Sequence, residues 1–417
     1  MSPLQRLLLQ VIVIVTTARL LGAAFRKIHQ PPVIGEIVAG ILLGPSVLGW
    51  LAPSWSSTLF PPQSLGILSL LSEVGIVLFM FIVGLELDTR HVRDSGRFVI
   101  LTSNVSIAVP FALGVLVAYG LHPLLANGTP TVYLALFMGA AMSITAFPVL
   151  ARILSEGQLL HTRVGNLALA CAAVDDISAW CILAVIVSLV HHGGTGVGPW
   201  IRLTGLPLYV LLMLFVIRPM LRKVQLRWFS MRTMTVGAIG FIAVYAFASS
   251  LITDWLGFHA LFGAFFAGVV FPRERGLEVE LGKQLKFITT GMLLPLFFAI
   301  SGLRTNVGLI HGWPMWLTCA LLITVAIIGK MLPSMLSARF GGMSWRESAT
   351  LGVLMNTRGL VELVILNVGF DLGVLSQTLF SMMVLMALIT TFMAAPLLHW
   401  INDRKQHEGI NYSSAAS

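Results

Sequence analysis

The chain has 417 residues, 57% of them hydrophobic, with 26 basic and 17 acidic side chains and a mean hydropathy of +0.91. A water-exposed fold carries roughly 25% charged residues, so the 10% found here excludes one, and the same shortage excludes a coiled coil or a disordered chain. Cys171, Cys181 and Cys319 all lie in apolar stretches, too few and too buried for a disulfide framework or a zinc site.

A membrane span needs about 20 mainly apolar residues. In chain order thirteen are predicted, at 7–25, 33–51, 64–85, 98–120, 131–151, 164–190, 201–218, 233–253, 257–271, 285–303, 315–338, 348–369 and 375–401. Gly, Pro and charge clusters separate them. Loops on the cytoplasmic side of a membrane are rich in Lys and Arg. The loops after spans 1, 3, 5, 7, 9 and 11, with the C-terminal tail, hold twenty such residues, while the opposite side holds Arg6, Arg202 and Arg304. The N-terminus is therefore expected outside and the C-terminus in the cytoplasm, in a cell (inner) membrane. On this reading the net charge of +9 is topological, and no nucleic-acid partner is expected.

An internal repeat organises the spans. Leu78-Phe79-Met80-Phe81-Ile82-Val83-Gly84-Leu85 in span 3 and Leu296-Phe297-Phe298-Ala299-Ile300-Ser301-Gly302-Leu303 in span 10 share a frame at an offset of 218. Gly35 and Ala39-Gly40 in span 2 match Gly263 and Ala267-Gly268 in span 9 at an offset of 228. Seven spans separate the partners, an odd number, so they cross the bilayer in opposite directions. Inverted repeats of this kind characterise secondary transporters, whose sites lie near the midplane on interrupted helices. Spans 1 to 6 would match spans 8 to 13, with span 7 as linker, which makes the first span a retained helix rather than a signal peptide.

Apart from Arg202, Arg218 and Lys286 at span ends, eight charged residues fall inside spans: Arg19, Glu36, Glu73, Asp175, Asp176, Lys330, Arg358 and Glu362. Each is costly in hydrocarbon and needs a partner or water. Asp175 and Asp176 lie about 18 Å along span 6, near the midplane, and Lys330 reaches a similar depth in span 11. Neighbouring helix residues point about 100° apart, so one aspartate is expected to meet the ion and the other to support it. Spans 5 and 12 are interrupted at similar depth, by Ser143-Ile144-Thr145-Ala146-Phe147-Pro148 and by Asn356-Thr357-Arg358-Gly359. A proline such as Pro148 removes a backbone donor, and freed carbonyls with half-helix dipole ends suit a small cation. Asp176 and Lys330 are expected to balance the charge left there. Arg358 and Glu362 have the i, i+4 spacing of a self-neutralising pair. Glu36 is expected to pair with Arg19 or reach interfacial water, and Glu73 is a possible accessory group.

Pro32-Val33-Ile34-Gly35-Glu36-Ile37 leading to Gly44-Pro45-Ser46, the Phe79 to Asp88 stretch, Thr145-Ala146-Phe147-Pro148, Asp175-Asp176 and Thr357-Arg358-Gly359-Leu360-Val361-Glu362 resemble, in order, the second branch of the monovalent cation:proton antiporters. That branch includes bacterial sodium/proton exchangers, potassium efflux antiporters and plant cation/proton exchangers, and the resemblance covers nearly the whole chain. It implies an all-α polytopic membrane protein of thirteen helices with two crossed broken helices, assembled as a homodimer. Helices 1–3 (1–97) and 8–10 (233–303) would form a dimer domain. Helices 4–6 (98–190) and 11–13 (304–401) would form a core that moves against it like an elevator. Helix 7 (191–232) would link the halves, and 402–417 would form a cytoplasmic tail without a dinucleotide-binding motif. By motif the ion-carrying aspartate maps to Asp176, its neighbour to Asp175 and the basic partner to Lys330.

The expected activity is exchange of a monovalent cation, Na⁺ ahead of K⁺, for protons at one carboxylate, in the service of pH homeostasis. Asp176, with Asp175, would hold the transported cation. Thr145, Pro148, Thr357, Arg358 and Glu362 would support the broken helices. Two carboxylates and a lysine suggest more than one proton per cation, hence electrogenic exchange. No enzyme activity and no cofactor are expected. An intramembrane aspartyl protease needs two aspartates facing each other from different helices, and a potassium channel needs a T-V-G-Y-G filter, absent here.

Overall fold

The computed structural model describes residues 2–401 except 87–95, 126–127, 157–158, 160–161, 191–198, 229–235, 257, 273–283, 286 and 288. The expected tail at 402–417 and Asp88 therefore lie outside the described residues, as does part of the linker region. Among the described residues every regular element is a helix, as expected. In chain order they are α1 (Pro3–Lys27), α2 (Pro32–Leu43), the short α3 (Leu48–Leu51) and α4 (Pro53–Leu59), α5 (Pro62–Glu86), α6 (Gly96–Leu125), α7 (Thr131–Ser143), α8 (Phe147–Glu156) and α9 (Arg163–Val190). There follow α10 (Pro199–Leu212), α11 (Arg218–Trp228), α12 (Val236–Trp255), α13 (Ala260–Val270), α14 (Leu294–Arg304), α15 (Trp313–Phe340), α16 (Trp345–Met355), α17 (Leu360–Asp371) and α18 (Gln377–Phe392).

Eleven helical stretches among the described residues are long and apolar enough to cross a membrane. Two expected spans are not of that kind. The segment 131–151 is no single helix: α7 stops at Ser143 and α8 starts at Phe147. In 257–271 the helix α13 has 11 residues, about 16 Å at 1.5 Å per residue, against a hydrocarbon core of about 30 Å. Two π-helical turns, Met213–Ile217 and Thr289–Leu293, each end two residues before a proline, Pro219 and Pro295. A proline supplies no N–H for the helical ladder, and a wider turn absorbs the lost bond.

The chain forms two compact units, one of Met1–Val15, Ser57–Asp88 and Ala184–Ile300, the other of Thr16–Ser56, Thr89–Leu183 and Ser301–Ser417. In the first unit α5 and α13 cross so closely that a Cβ on Gly268 would fall on the Phe81 carbonyl, and one on Gly84 on the Phe265 carbonyl. A Cβ on Gly263 would meet the Ser249 carbonyl of α12. Phe81 packs edge-on against Tyr245 and Phe271 beside this crossing. The Ser249 hydroxyl donates to the Gly263 carbonyl, so Tyr209 must be the donor in its 2.6 Å bond to Ser249.

The second unit repeats these contacts with different residues. A Cβ on Gly302 would fall on the Ile37 carbonyl and 2.7 Å from the Cα of Gly40, and one on Gly35 would lie 2.7 Å from the Leu21 carbonyl of α1. Span 10 thus meets span 2 as span 3 meets span 9, and span 2 meets span 1 as span 9 meets span 8. The glycines that align in the sequence repeat are the ones that allow these approaches, because only a residue without a Cβ lets two backbones come so near. In the same unit exposed Trp50, Trp55 and Trp313 mark one end, and Phe340, Trp345 and Trp400 the other. These are the two aromatic levels of a bilayer-spanning bundle.

Candidate functional site

The site is built where the two interrupted helices of the second unit meet. After Ser143 the chain runs extended through Ile144 (φ −92°, ψ 141°) before α8 begins, with Pro148 in the first turn of α8. α16 ends at Met355 and α17 restarts at Leu360, with Asn356 to Gly359 between them. The two interruptions are hydrogen-bonded to each other: the Ala146 N–H donates to the Thr357 carbonyl at 3.0 Å, and the Thr145 hydroxyl reaches the Met355 carbonyl at 2.7 Å. Thr357 turns its own hydroxyl to the Leu354 carbonyl at 2.8 Å, holding the end of α16.

Three of the four half-helix ends meet a side chain of opposite sign, as the helix dipole favours, and the C-terminal end of α16 meets the Thr145 and Thr357 hydroxyls instead. Arg358 donates to the Ala141 and Met142 carbonyls at 2.6 and 2.8 Å, at the C-terminal end of α7. Lys330, on α15, donates to the Ser143 carbonyl at that same end. Glu362 occupies the first turn of α17 and lies 3.3 Å from Arg358, both side chains fully buried. The Asp176 carboxylate accepts the Phe147 N–H at the start of α8.

The two aspartates differ in their partners. Asp175 Oδ2 accepts from Lys330 Nζ at 2.8 Å and lies 2.9 Å from the Thr145 hydroxyl, whose one hydrogen it shares with the Met355 carbonyl, and its Oδ1 accepts from the Ser103 hydroxyl at 2.7 Å. Lys330 completes its three N–H bonds with the Ser106 carbonyl at 2.9 Å and the Ser143 carbonyl. Asp176 is 1% exposed, and its Oδ1 is buried with no hydrogen-bond partner among the described residues. Direct pairing of Lys330 is thus with Asp175 and not with Asp176. The reason is the 100° step between neighbouring helix residues, which turns Asp175 toward α6 and α15 and Asp176 toward the start of α8.

Of the other expected residues, Glu36 is buried and lies 3.8 Å from Arg19, the first of the two alternatives expected for it. Glu73 is exposed on α5 in the first unit and is not part of this cluster. Sequence reading missed Ser103 and Ser106, although hydroxyls at 102, 103 and 106 inside an apolar span were a signal. It also missed Thr391, which accepts the Arg358 N–H at 3.0 Å and donates to the Arg358 carbonyl at 2.8 Å. Asp176 and Thr391 therefore take equivalent places, each receiving a backbone N–H from an interruption, and only one of the two is a carboxylate.

Residues 12–402 match the family described as sodium/hydrogen exchanger, transmembrane, and the chain belongs to it. It is 43% identical over 405 residues to the Na(+)/H(+) antiporter NhaS4 of Synechocystis, covering 96% of this chain and 98% of that protein. It is 41% identical to Cation/H(+) antiporter 17 of Arabidopsis thaliana and 34% identical to K(+)/H(+) antiporter 1 of Saccharomyces cerevisiae, covering 94% and 99% of this chain but 48% of either relative. The sodium proton antiporter MjNhaP1 of Methanocaldococcus jannaschii shares the fold, with a TM-score of 0.68 over 94% of this chain and 96% of that one, at 14% identity.

Proposed function

We propose that this member of the sodium/hydrogen exchanger family is a secondary active antiporter that exchanges a monovalent cation, Na⁺ ahead of K⁺, for protons at Asp176. The observation that carries the reading is the pair of neighbouring buried aspartates with unlike surroundings. Asp175 has its charge met by Lys330, whereas Asp176 keeps a buried oxygen with no partner among the described residues, beside the crossed half-helices. A lone buried carboxylate oxygen is an acceptor in want of a proton or a cation. The two compete for it, and because an empty charged carboxylate is expensive to carry through hydrocarbon, the site crosses only when loaded. Coupling follows from that cost. Relatives named for Na⁺/H⁺, K⁺/H⁺ and cation/H⁺ antiport support the cation and the proton as substrates.

The core of helices 4–6 and 11–13 moves against a dimer domain of helices 1–3 and 8–10, within a homodimer whose N-terminus is outside and C-terminus in the cytoplasm. Thr145, Pro148, Thr357, Arg358 and Glu362 keep the interruptions rigid during that movement. Exchange is electrogenic, with Asp175 and Lys330 contributing to a transfer of more than one proton per cation. An aspartyl protease reading is disfavoured by geometry, since two aspartates on successive residues of α9, one bound to Lys330, do not face each other. The test is flux into proteoliposomes under an imposed pH gradient, with Na⁺, K⁺ and Li⁺ supplied in turn and the membrane potential varied. Fastest exchange with Na⁺ and rates that follow the potential support the reading. Indifference to potential removes electrogenicity, and absence of cation-dependent proton movement removes antiport.

A further inference from the structure

Ser103 lies on α6, fully buried, 72 residues before its partner in sequence. Its hydroxyl is 2.7 Å from Asp175 Oδ1 and 3.4 Å from the Cys171 carbonyl, so its one hydrogen goes to the carboxylate. Ser106, one turn on, behaves otherwise: it lies 3.0 Å from the Ser103 carbonyl and 3.5 Å from either carboxylate oxygen, so its hydrogen goes to the backbone. Ser103 is therefore what fixes the oxygen of Asp175 that Lys330 does not hold.

We infer that Ser103 is a positioning residue for cation exchange: by fixing Asp175 it keeps Lys330 on Asp175 and away from Asp176. This rests on the reading of Asp176 as the exchanging carboxylate. Without the Ser103 bond Asp175 Oδ1 loses its one close donor, the carboxylate is held through Oδ2 alone, and the Lys330 ammonium has a less firmly fixed partner. Asp176 Oδ1, a buried oxygen with no hydrogen-bond partner among the described residues, belongs to the very next residue of α9. An ammonium drawn there occupies the place of the transported cation and must be displaced before the cation binds. The effect falls on apparent affinity, not on the rate of the loaded carrier.

The experiment measures initial exchange rates in proteoliposomes against Na⁺ and, separately, K⁺ for wild type, Ser103→Ala, Ser103→Cys and Ser334→Ala. Ser334 is the control: it is fully buried on α15, one turn from Lys330, and its hydroxyl returns to the Lys330 carbonyl at 2.7 Å. Loss of one hydrogen bond to a charged group corresponds to about a tenfold change in an equilibrium constant. Ser103→Ala should raise the cation KM about tenfold with kcat within about twofold of wild type, and Ser334→Ala should leave KM unchanged. Ser103→Cys, a weaker donor of similar size, should give an intermediate KM, and it decides the matter if the alanine variant does not fold. An unchanged KM in the folded Ser103 variants, or an equal rise in Ser334→Ala, overturns the inference. Asp176→Asn separates this from the broader reading: exchange surviving in that variant sinks the site itself. An inactive Asp176→Asn with an unchanged KM in Ser103→Ala sinks only the role of Ser103.

Discussion

Lys330 Nζ lies 2.8 Å from Asp175 Oδ2 and directs its remaining N–H bonds at the Ser106 and Ser143 carbonyls, which leaves none for Asp176, the very next residue. One aspartate is thus half of a buried ion pair and the other is not. Breaking a buried pair by removing one partner costs about 3–5 kcal/mol, because the other charge stays uncompensated. Asp175→Asn should therefore lower thermal stability strongly, and combining it with Lys330→Met should recover most of the loss. Asp176→Asn should unfold within a few degrees of wild type. Equal destabilisation by the two single asparagine variants would contradict this division of roles.

Arg358 is held by geometry that lysine does not reproduce. Its two terminal nitrogens reach two successive carbonyls, Ala141 and Met142, and one of them also reaches Glu362. A lysine is a point charge without that planar fork. Arg358→Lys should leave at least one buried carbonyl unpaired, a loss of about 1–3 kcal/mol. A melting temperature indistinguishable from wild type would mean that the crossing of the interruptions does not depend on the guanidinium.

The glycine crossings give a prediction of both signs. Gly268→Ala places a methyl on the Phe81 carbonyl, and overpacking of this kind costs typically about 1–3 kcal/mol. Gly66, exposed on α5 with nothing within 4 Å of an added Cβ, should respond oppositely, gaining about 0.5–1 kcal/mol as Gly66→Ala because alanine is the better helix former. Thermal unfolding of the two variants in one detergent checks the sign. Stabilisation by Gly268→Ala would remove the argument that these glycines permit the repeat contacts.

Much of this architecture is legible in the sequence, and the reason is that hydrocarbon makes every polar residue conspicuous. Asp175, Asp176 and Lys330 stand out as charges at one depth, and Thr145 and Thr357 as matching interruptions. The glycines at 35, 40, 84, 263, 268 and 302 are visible because the inverted repeat aligns them, and each proves to lie at a helix crossing. What periodicity does not carry is rotation of one helix against another. Lys330 could have faced either aspartate, and the choice of Asp175 follows from packing of α15 and α6 against α9. Ser103 was hidden for the same cause, as its bond to Asp175 joins helices far apart in sequence and a serine in a span usually satisfies itself on its own backbone. Length misled at α13, where an apolar run of plausible extent holds a helix of 11 residues.

The central claim is that the exchanged ion and the proton share Asp176. It is tested most directly by wild type and Asp176→Asn reconstituted at equal density, with dissipation of an imposed pH gradient followed after addition of Na⁺ or K⁺. The account predicts cation-dependent proton movement with wild type and none above protein-free liposomes with the folded Asp176→Asn variant. Proton movement by that variant at the wild-type rate would contradict it.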